Sequence, residues 1–317
     1  MKIVVLDAET LGRDISLNEI EALGDCTIYY NTAREELIDR IKDADVAVFN
    51  KIKFNEEVLK EAKNLKLICV TATGFDNIDI EYCRKNNIAV SNIVGYSSHS
   101  VAQVTCAMVL SLSINMNYFS EYVKSGDYTK SGIANKVTPV YHELFDKTWG
   151  IVGYGNIGME VCAVAKALGC RVVVNKRTPI EGVECVSLEE LCKISDIITI
   201  HTPLNDLTRG LIDEKMISLM KNDVILVNSA RGAVTDEEAI CNAILNDKIG
   251  AFGTDVYSVE PFGVEHPFTK IMGRDNVCLT PHMAWASYEA RCRCISEVAM
   301  NIAAFQNGEK RNRVELI

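Results

Sequence analysis

Ile151-Val-Gly153-Tyr-Gly155-Asn156-Ile157-Gly158 continues the apolar run that starts at Thr148 and opens a segment where Val161, Ala165 and Leu168 recur at helical spacing. A bare G-x-G-x-x-G says little, but between a strand and an amphipathic helix it is the turn that receives a dinucleotide. Gly153 permits the tight turn, and Gly155 lets the backbone approach a pyrophosphate. Gly158 lets the helix pack close to the strand, with its positive N-terminal end toward the phosphates. Asn156 and Ile157, the first residues of that helix, join the same binding turn.

Working outward, strand-like and helix-like segments alternate almost from end to end. On the N-terminal side the expected strands are Lys2–Leu6, Cys26–Tyr30, Val46–Phe49, Leu67–Thr71 and Ala89–Ser91. Helices lie between them, and the capping-box patterns Ser16-Leu-Asn-Glu19 and Thr32-Ala-Arg-Glu35 open two of these. A long helix follows Ser98, with Val101, Thr105, Met108, Val109 and Leu112 on one face, and 125–144 reads as irregular. After the glycine-rich turn come expected strands at Arg171–Val174, Ile197–Thr199, Val224–Asn228, Gly250–Asp255 and Val277–Leu279, then a last helix over 287–305. Such alternation predicts α/β architecture with two doubly wound parallel sheets, each covered on both faces.

Composition bounds the function. A chain of 317 residues is long enough for two domains. Its 33 Lys and Arg stand against 43 Asp and Glu, a formal charge of −10, which argues against a nucleic-acid or anionic-membrane partner. No apolar run reaches the 18 or so residues that a membrane span needs, and the start, MKIVVLDAET, reads as a first strand rather than a leader. The 12 cysteines include no CxxC pair, and several sit in apolar periodic segments, where a thiol acts as a small hydrophobe. Neither a metal site nor a disulfide framework is expected, and a reducing, cytoplasmic setting is.

The position that discriminates between cofactors departs from the usual form. Asn175 stands 22 residues beyond Gly153, where an NAD enzyme commonly carries Asp or Glu to hold the ribose 2′-hydroxyl. Lys176 and Arg177 follow, two cations able to pair with a 2′-phosphate. The reading is an NAD(P)H site with NADP(H) favoured over NAD(H).

Three further loops fall at strand ends, where open α/β sheets place their ligands. They are Asn228-Ser229-Ala230-Arg231-Gly232, Asp255-Val-Tyr-Ser-Val-Glu260-Pro261 and Thr280-Pro-His282-Met-Ala-Trp285. With the glycine-rich turn, and with Thr71-Ala-Thr73-Gly74-Phe-Asp-Asn-Ile-Asp79 and Gly95-Tyr-Ser-Ser-His-Ser-Val-Ala-Gln103 upstream, the chain resembles the D-2-hydroxyacid dehydrogenase family over nearly its whole length. The finer match is to the glycerate dehydrogenase and hydroxypyruvate reductase branch.

That resemblance implies a Rossmann-type nucleotide domain, 100–283, inserted in a flavodoxin-like substrate domain formed by 1–99 and 284–317. It implies a homodimer built on the segment from the long helix to Leu144, and a small 2-keto or 2-hydroxy acid as substrate. His282 is then the acid/base, because imidazole titrates near neutral pH. Glu260 fixes its tautomer through the other ring nitrogen. Arg231 holds the substrate carboxylate or polarises the keto oxygen with a planar fork that lysine cannot mimic. Backbone amides around Thr73 and Gly74 take the carboxylate, and Trp285 closes the pocket or packs as an ordinary aromatic. Ser229, Ala230 and Asp255 flank the nicotinamide end, and Thr202, after His201, lines the cofactor site. His99, His142, His201 and His266 have weaker claims to chemistry. The rival reading is a dinucleotide-sensing, non-enzymatic regulator on the same scaffold.

Overall fold

A computed structural model describes all 317 residues. They form two compact units, Met1–Ser97 with Trp285–Ile317, and Ser98–Ala284. Ser100, in the first turn of the helix Ser98–Ser113, donates its hydroxyl to the Ala284 carbonyl at 2.6 Å. That bond ties both ends of the second unit together.

The first unit holds β1 (Lys2–Val5), β2 (Asp25–Ile28), β3 (Val46–Phe49), β4 (Leu67–Val70) and β5 (Ala89–Ser91), all parallel in the order β2-β1-β3-β4-β5. This is the flavodoxin-like order. Side chains alternate across the sheet. Val5, Val48 and Cys69 face the long C-terminal helix Tyr288–Gln306, packing against Ile295, Val298 and Ile302. Val4, Phe49 and Ile68 face the other way, onto Leu37, Ile41 and Leu59. The C-terminal helix starts where expected because Ser287 caps it, accepting from the Ala290 amide at 3.3 Å.

Two local expectations shift. Ser16 does not open a long helix: its hydroxyl accepts from the Asn18 amide, and Asn18–Glu21 makes a single turn. Thr32 is not a cap either, since its hydroxyl turns to the Leu6 carbonyl. The helix Arg34–Ile41 begins one residue later, and with alanine at the cap only half of a box forms, Glu36 accepting from the Ala33 amide at 3.1 Å.

The second unit holds β6 (Thr148–Val152), β7 (Arg171–Asn175), β8 (Ile197–Ile200), β9 (Ile225–Asn228), β10 (Ala251–Thr254) and β11 (Val277–Leu279), again all parallel. Their order is β11-β10-β9-β8-β6-β7. A dinucleotide-binding sheet places a third strand outside the second. Here that strand is reduced to a single parallel bridge, Val174 with Cys185, in which the Val174 and Val186 amides bond across at 2.9 Å each. The strand order reverses between β6 and β8, so the crevice for a ligand lies at their carboxyl ends. Ile151, Val172 and Val174 pack under Val161 and Ala165 on one face, while Val152, Val173 and Ile198 meet Leu191 and Ile240 on the other. The stretch expected to be irregular contains a one-turn helix, Asp127–Ser131, after a second helix, Met116–Lys124.

No helix is long and apolar enough to cross a membrane. All twelve thiols are free, and burial pushes that of Cys106 up to about 11 and that of Cys294 to about 12.

Candidate active site

The glycine-rich turn has the shape its sequence demands. Gly153 has φ 93°, and a Cβ there would lie 2.7 Å from the Thr202 amide nitrogen and 2.8 Å from the His201 carbonyl carbon. A Cβ on Gly158 would lie 2.3 Å from the Gly153 oxygen. By contrast a Cβ on Gly155 would meet nothing within 4 Å, so open space adjoins the one glycine that a pyrophosphate must approach. Asn156 and Ile157 begin the helix Asn156–Ala167 that this space faces. These residues fit a dinucleotide.

At the end of β7 the Asn175 carbonyl accepts from the Gly153 amide at 3.0 Å, and its side-chain amide donates to the Val186 carbonyl at 3.1 Å. Lys176 donates to the Tyr154 carbonyl at 3.4 Å, and both Lys176 and Arg177 are exposed. After β8, burial drives the His201 imidazole down to about 3, so it is neutral at physiological pH. Its Nδ1 lies 3.5 Å from the Ser229 hydroxyl, which is 2.7 Å from that of Thr105.

The three strand-end loops meet through hydrogen bonds and one close backbone approach. Asn228, buried at the end of β9, accepts from the Ala230 amide at 3.0 Å and donates to the Arg231 carbonyl at 3.0 Å, bracing the turn that presents Arg231. Arg231 is half-buried, and its guanidinium donates to the Ala230 carbonyl at 2.8 Å. A Cβ on Gly232 would lie 2.0 Å from the Tyr257 carbonyl carbon and 2.1 Å from the Ser258 nitrogen. Only glycine lets the Arg231 loop rest on the loop that carries Glu260.

Glu260 accepts from the Tyr257 amide at 3.0 Å through one oxygen and lies 2.5 Å from His282 Nδ1 through the other. With Nδ1 engaged, Nε2 is the ring nitrogen left to exchange a proton with a ligand. His282 sits at φ 54°, a left-handed conformation that costs a non-glycine residue energy and is maintained by its surroundings. The surroundings are Asp255, whose carboxylate accepts from Thr280 Oγ1 at 2.6 Å and from the Met283 and Ala284 amides at 2.8 Å each. Asp255 is only 1% exposed, so its carboxylate anchors the His282 loop from within rather than facing outward. Tyr257 completes the bracing by donating its hydroxyl to the Thr280 carbonyl at 2.9 Å. Burial, with Asp255 and Glu260 nearby, pushes that phenol up to about 12, so it remains a donor.

The first unit carries its expected residues on the loop after β4. Thr73 donates its hydroxyl to the Ile93 carbonyl at 2.7 Å, and its own carbonyl accepts from the Asn92 side chain at 2.8 Å; Gly74 follows in the same turn. Trp285 is half-buried against Tyr96, ring centroids 6.3 Å apart. Of the other histidines, His99 pairs with Glu160 on the surface at 3.3 Å, His142 is exposed, and His266 is bound to Glu237 at 3.1 Å. Sequence reasoning missed the bracing set, Asn228, Gly232 and Tyr257. The glycine directly after Arg231 was its one legible signal.

Residues 106–284 match the family model described as D-isomer specific 2-hydroxyacid dehydrogenase, NAD binding domain. The whole chain is 34% identical to a hydroxypyruvate reductase of Blautia hydrogenotrophica, with 99% of each chain covered. It is 33% identical to a glycerate dehydrogenase of Methylorubrum extorquens, again over 99% of each. A solved structure titled as an acyclic imino acid reductase (Bsp5) in complex with NADPH and D-Arg superposes with a TM-score of 0.87 at 30% identity, covering 99% of this chain and 100% of that one. A glycine-rich turn with room for a pyrophosphate, a carboxylate–imidazole pair and an arginine on adjoining loops are thus found in a chain that these relatives match from end to end. It belongs to the D-isomer specific 2-hydroxyacid dehydrogenase family, NAD(P)-dependent oxidoreductases acting on CH–OH groups.

Proposed function

We propose that this enzyme reduces a small 2-keto acid of the hydroxypyruvate or glyoxylate kind to its 2-hydroxy acid, giving the D isomer where C2 becomes chiral, with NADPH favoured over NADH. The observation that carries the reading is the 2.5 Å pairing of His282 Nδ1 with Glu260, which commits one ring nitrogen and leaves Nε2 for the substrate oxygen. The reduced nicotinamide supplies the hydride to C2. His282, protonated, donates the Nε2 proton to the keto oxygen as C2 is reduced, and in the reverse direction it takes that proton back. Glu260 holds the ring in orientation and balances the imidazolium. Arg231 binds the carboxylate or the keto oxygen through its fork. Backbone amides at Thr73 and Gly74 are assigned to the carboxylate and Trp285 to the substrate pocket.

Gly153, Gly155, Asn156, Ile157 and Gly158 would hold the pyrophosphate, and Thr202, Ser229, Ala230 and Asp255 the nicotinamide end, Asp255 acting by fixing the loop. The NADPH preference rests on Asn175, whose amide lacks the carboxylate that repels a 2′-phosphate, and on the exposed cations Lys176 and Arg177. The domain roles are part of the proposal: Ser98–Ala284 would hold the nucleotide, and the other unit, through Thr73, Gly74 and Trp285, would meet the acid together with Arg231. A homodimer is part of the proposal, supported by Met116, Val123, Ile133, Val137, Val140 and Phe145, each at least half exposed. So is a cytoplasmic location, supported by the free thiols.

The test is loss of 340 nm absorbance on adding hydroxypyruvate, glyoxylate, pyruvate or phenylpyruvate with each reduced cofactor. Turnover of the first two with a higher kcat/KM for NADPH supports the proposal. Tight cofactor binding without turnover of any keto acid would favour the sensing role instead.

A further inference from the structure

Glu237 takes no part in the site as described, yet it stands behind it. It opens the helix Glu237–Leu245, and its side chain is 10% exposed. One carboxylate oxygen accepts from the Ser258 amide at 2.8 Å. The other accepts from the Ser258 hydroxyl and lies 3.1 Å from His266 Nε2. His266 is buried to a similar degree, and its Nδ1 accepts from the Phe268 amide at 3.3 Å. Nδ1 therefore carries no proton, the proton sits on Nε2, and a neutral imidazole suffices to donate to Glu237. The His266 ring is wedged among Phe262, Phe268 and Tyr257, at centroid distances of 4.6, 4.9 and 6.1 Å.

Ser258 precedes Glu260 by two residues, and His266 follows it by six. One carboxylate thus staples both ends of the loop on which Glu260 rides, and Glu260 itself accepts from the Tyr257 amide and pairs with His282 Nδ1. We propose that Glu237 and His266 are positioning residues of the reaction: they fix the loop that delivers the Glu260 carboxylate to His282 Nδ1, and touch neither substrate nor cofactor. A carboxylate suits this post because all its lone pairs accept, and every group facing it is a donor. An amide in the same shape would turn an NH2 toward one of those donors. The loop would then shift by a fraction of an ångström, and the acid/base pair would be misaligned. This inference rests on the proposed roles of Glu260 and His282.

The experiment is a double-mutant cycle on the full-length enzyme with hydroxypyruvate as substrate. Glu237→Gln is expected to lower kcat about tenfold, leave KM for the keto acid within about twofold, and leave the cofactor dissociation constant unchanged. In a Glu260→Gln background the same change should lower kcat by less than about twofold, since the residue it positions is already gone. A tenfold further loss in that background would overturn the proposal, because Glu237 would then be acting through general structure. A single-variant effect below twofold would overturn it as well. If Glu237→Gln does not fold, Ser258→Ala removes one of the three donors and should lower kcat about threefold, with the same loss of effect beside Glu260→Gln; full additivity there refutes the idea. Normal turnover in His282→Asn would instead remove the underlying assignment, so the two failures are separable.

Discussion

Replacing Gly232 by alanine adds one methyl group where the structure has no room. The new Cβ would lie 2.0 Å from the Tyr257 carbonyl carbon, 2.1 Å from the Ser258 nitrogen and 2.5 Å from the Tyr257 Cα. All three are backbone atoms, so no rotamer change relieves the overlap. Contacts below 3.0 Å are essentially never seen for a Cβ, so the Arg231 loop and the Glu260 loop must part by about 1 Å. Overpacking of this kind costs about 1–3 kcal/mol of stability, which a folded domain of this size tolerates. The catalytic cost is larger in relative terms, since a misplacement of about 1 Å between reacting groups lowers rate by about a hundredfold. The expected result is kcat/KM reduced by about two orders of magnitude with the cofactor dissociation constant within about threefold of wild type, measured by steady-state kinetics and cofactor fluorescence titration. A kcat/KM within twofold of wild type would show that the Arg231 and Glu260 loops are not held in register by that contact.

Further changes probe single links. His282→Asn should lower kcat by at least about a hundredfold while cofactor affinity stays near wild type, as read by stopped-flow kinetics and titration. Charge reversal at Lys176 and Arg177 to glutamate should raise KM for NADPH at least about tenfold and leave KM for NADH nearly unchanged; equal effects on both would remove the 2′-phosphate assignment. Buried His201 is held down to about 3 against an ordinary 6.5, so between those values the unfolded chain binds the extra proton. Stability from this group is complete above pH 6.5 and lost as pH falls, with a slope approaching about 1.4 kcal/mol per pH unit. In His201→Gln, denaturant midpoints between pH 4 and 6.5 should therefore fall less steeply than in wild type. Exposed Asp14, bound by Arg291, is held at about 2, so its contribution is present above pH 4 and fades toward pH 2; Asp14→Asn should lower Tm at pH 6 and by less at pH 3.

Strand positions were legible because parallel strands covered on both faces read as unbroken apolar runs, and Val46–Phe49 and Val277–Leu279 fall where the runs do. The turn from Gly153 to Gly158 was legible because the backbone leaves no room for a side chain at Gly153 or Gly158. Helix starts were less so: Thr32 and Ser16 carry capping side chains, but a nearby carbonyl claimed one and the chain turned after four residues at the other. The third strand of the nucleotide sheet escaped notice because a single bridge at Cys185 leaves no periodic signature. In the site, His282, Glu260 and Arg231 announce themselves by residue type, whereas Asp255 shows its place only through what it bonds. Glu237 and His266 were silent for the same reason: 29 residues separate them, and only the fold brings a helix start against that loop.

The loops at the ends of β9, β10 and β11 are proposed to assemble an acid/base pair and an arginine for hydride exchange at C2 of a 2-keto acid. Mass spectrometry and chiral analysis of the product formed from hydroxypyruvate and a reduced cofactor deuterated on its transferable C4 position address this directly. One deuterium is expected at C2 of the product, in the D configuration. An unlabelled product, or one of L configuration, would contradict this assignment.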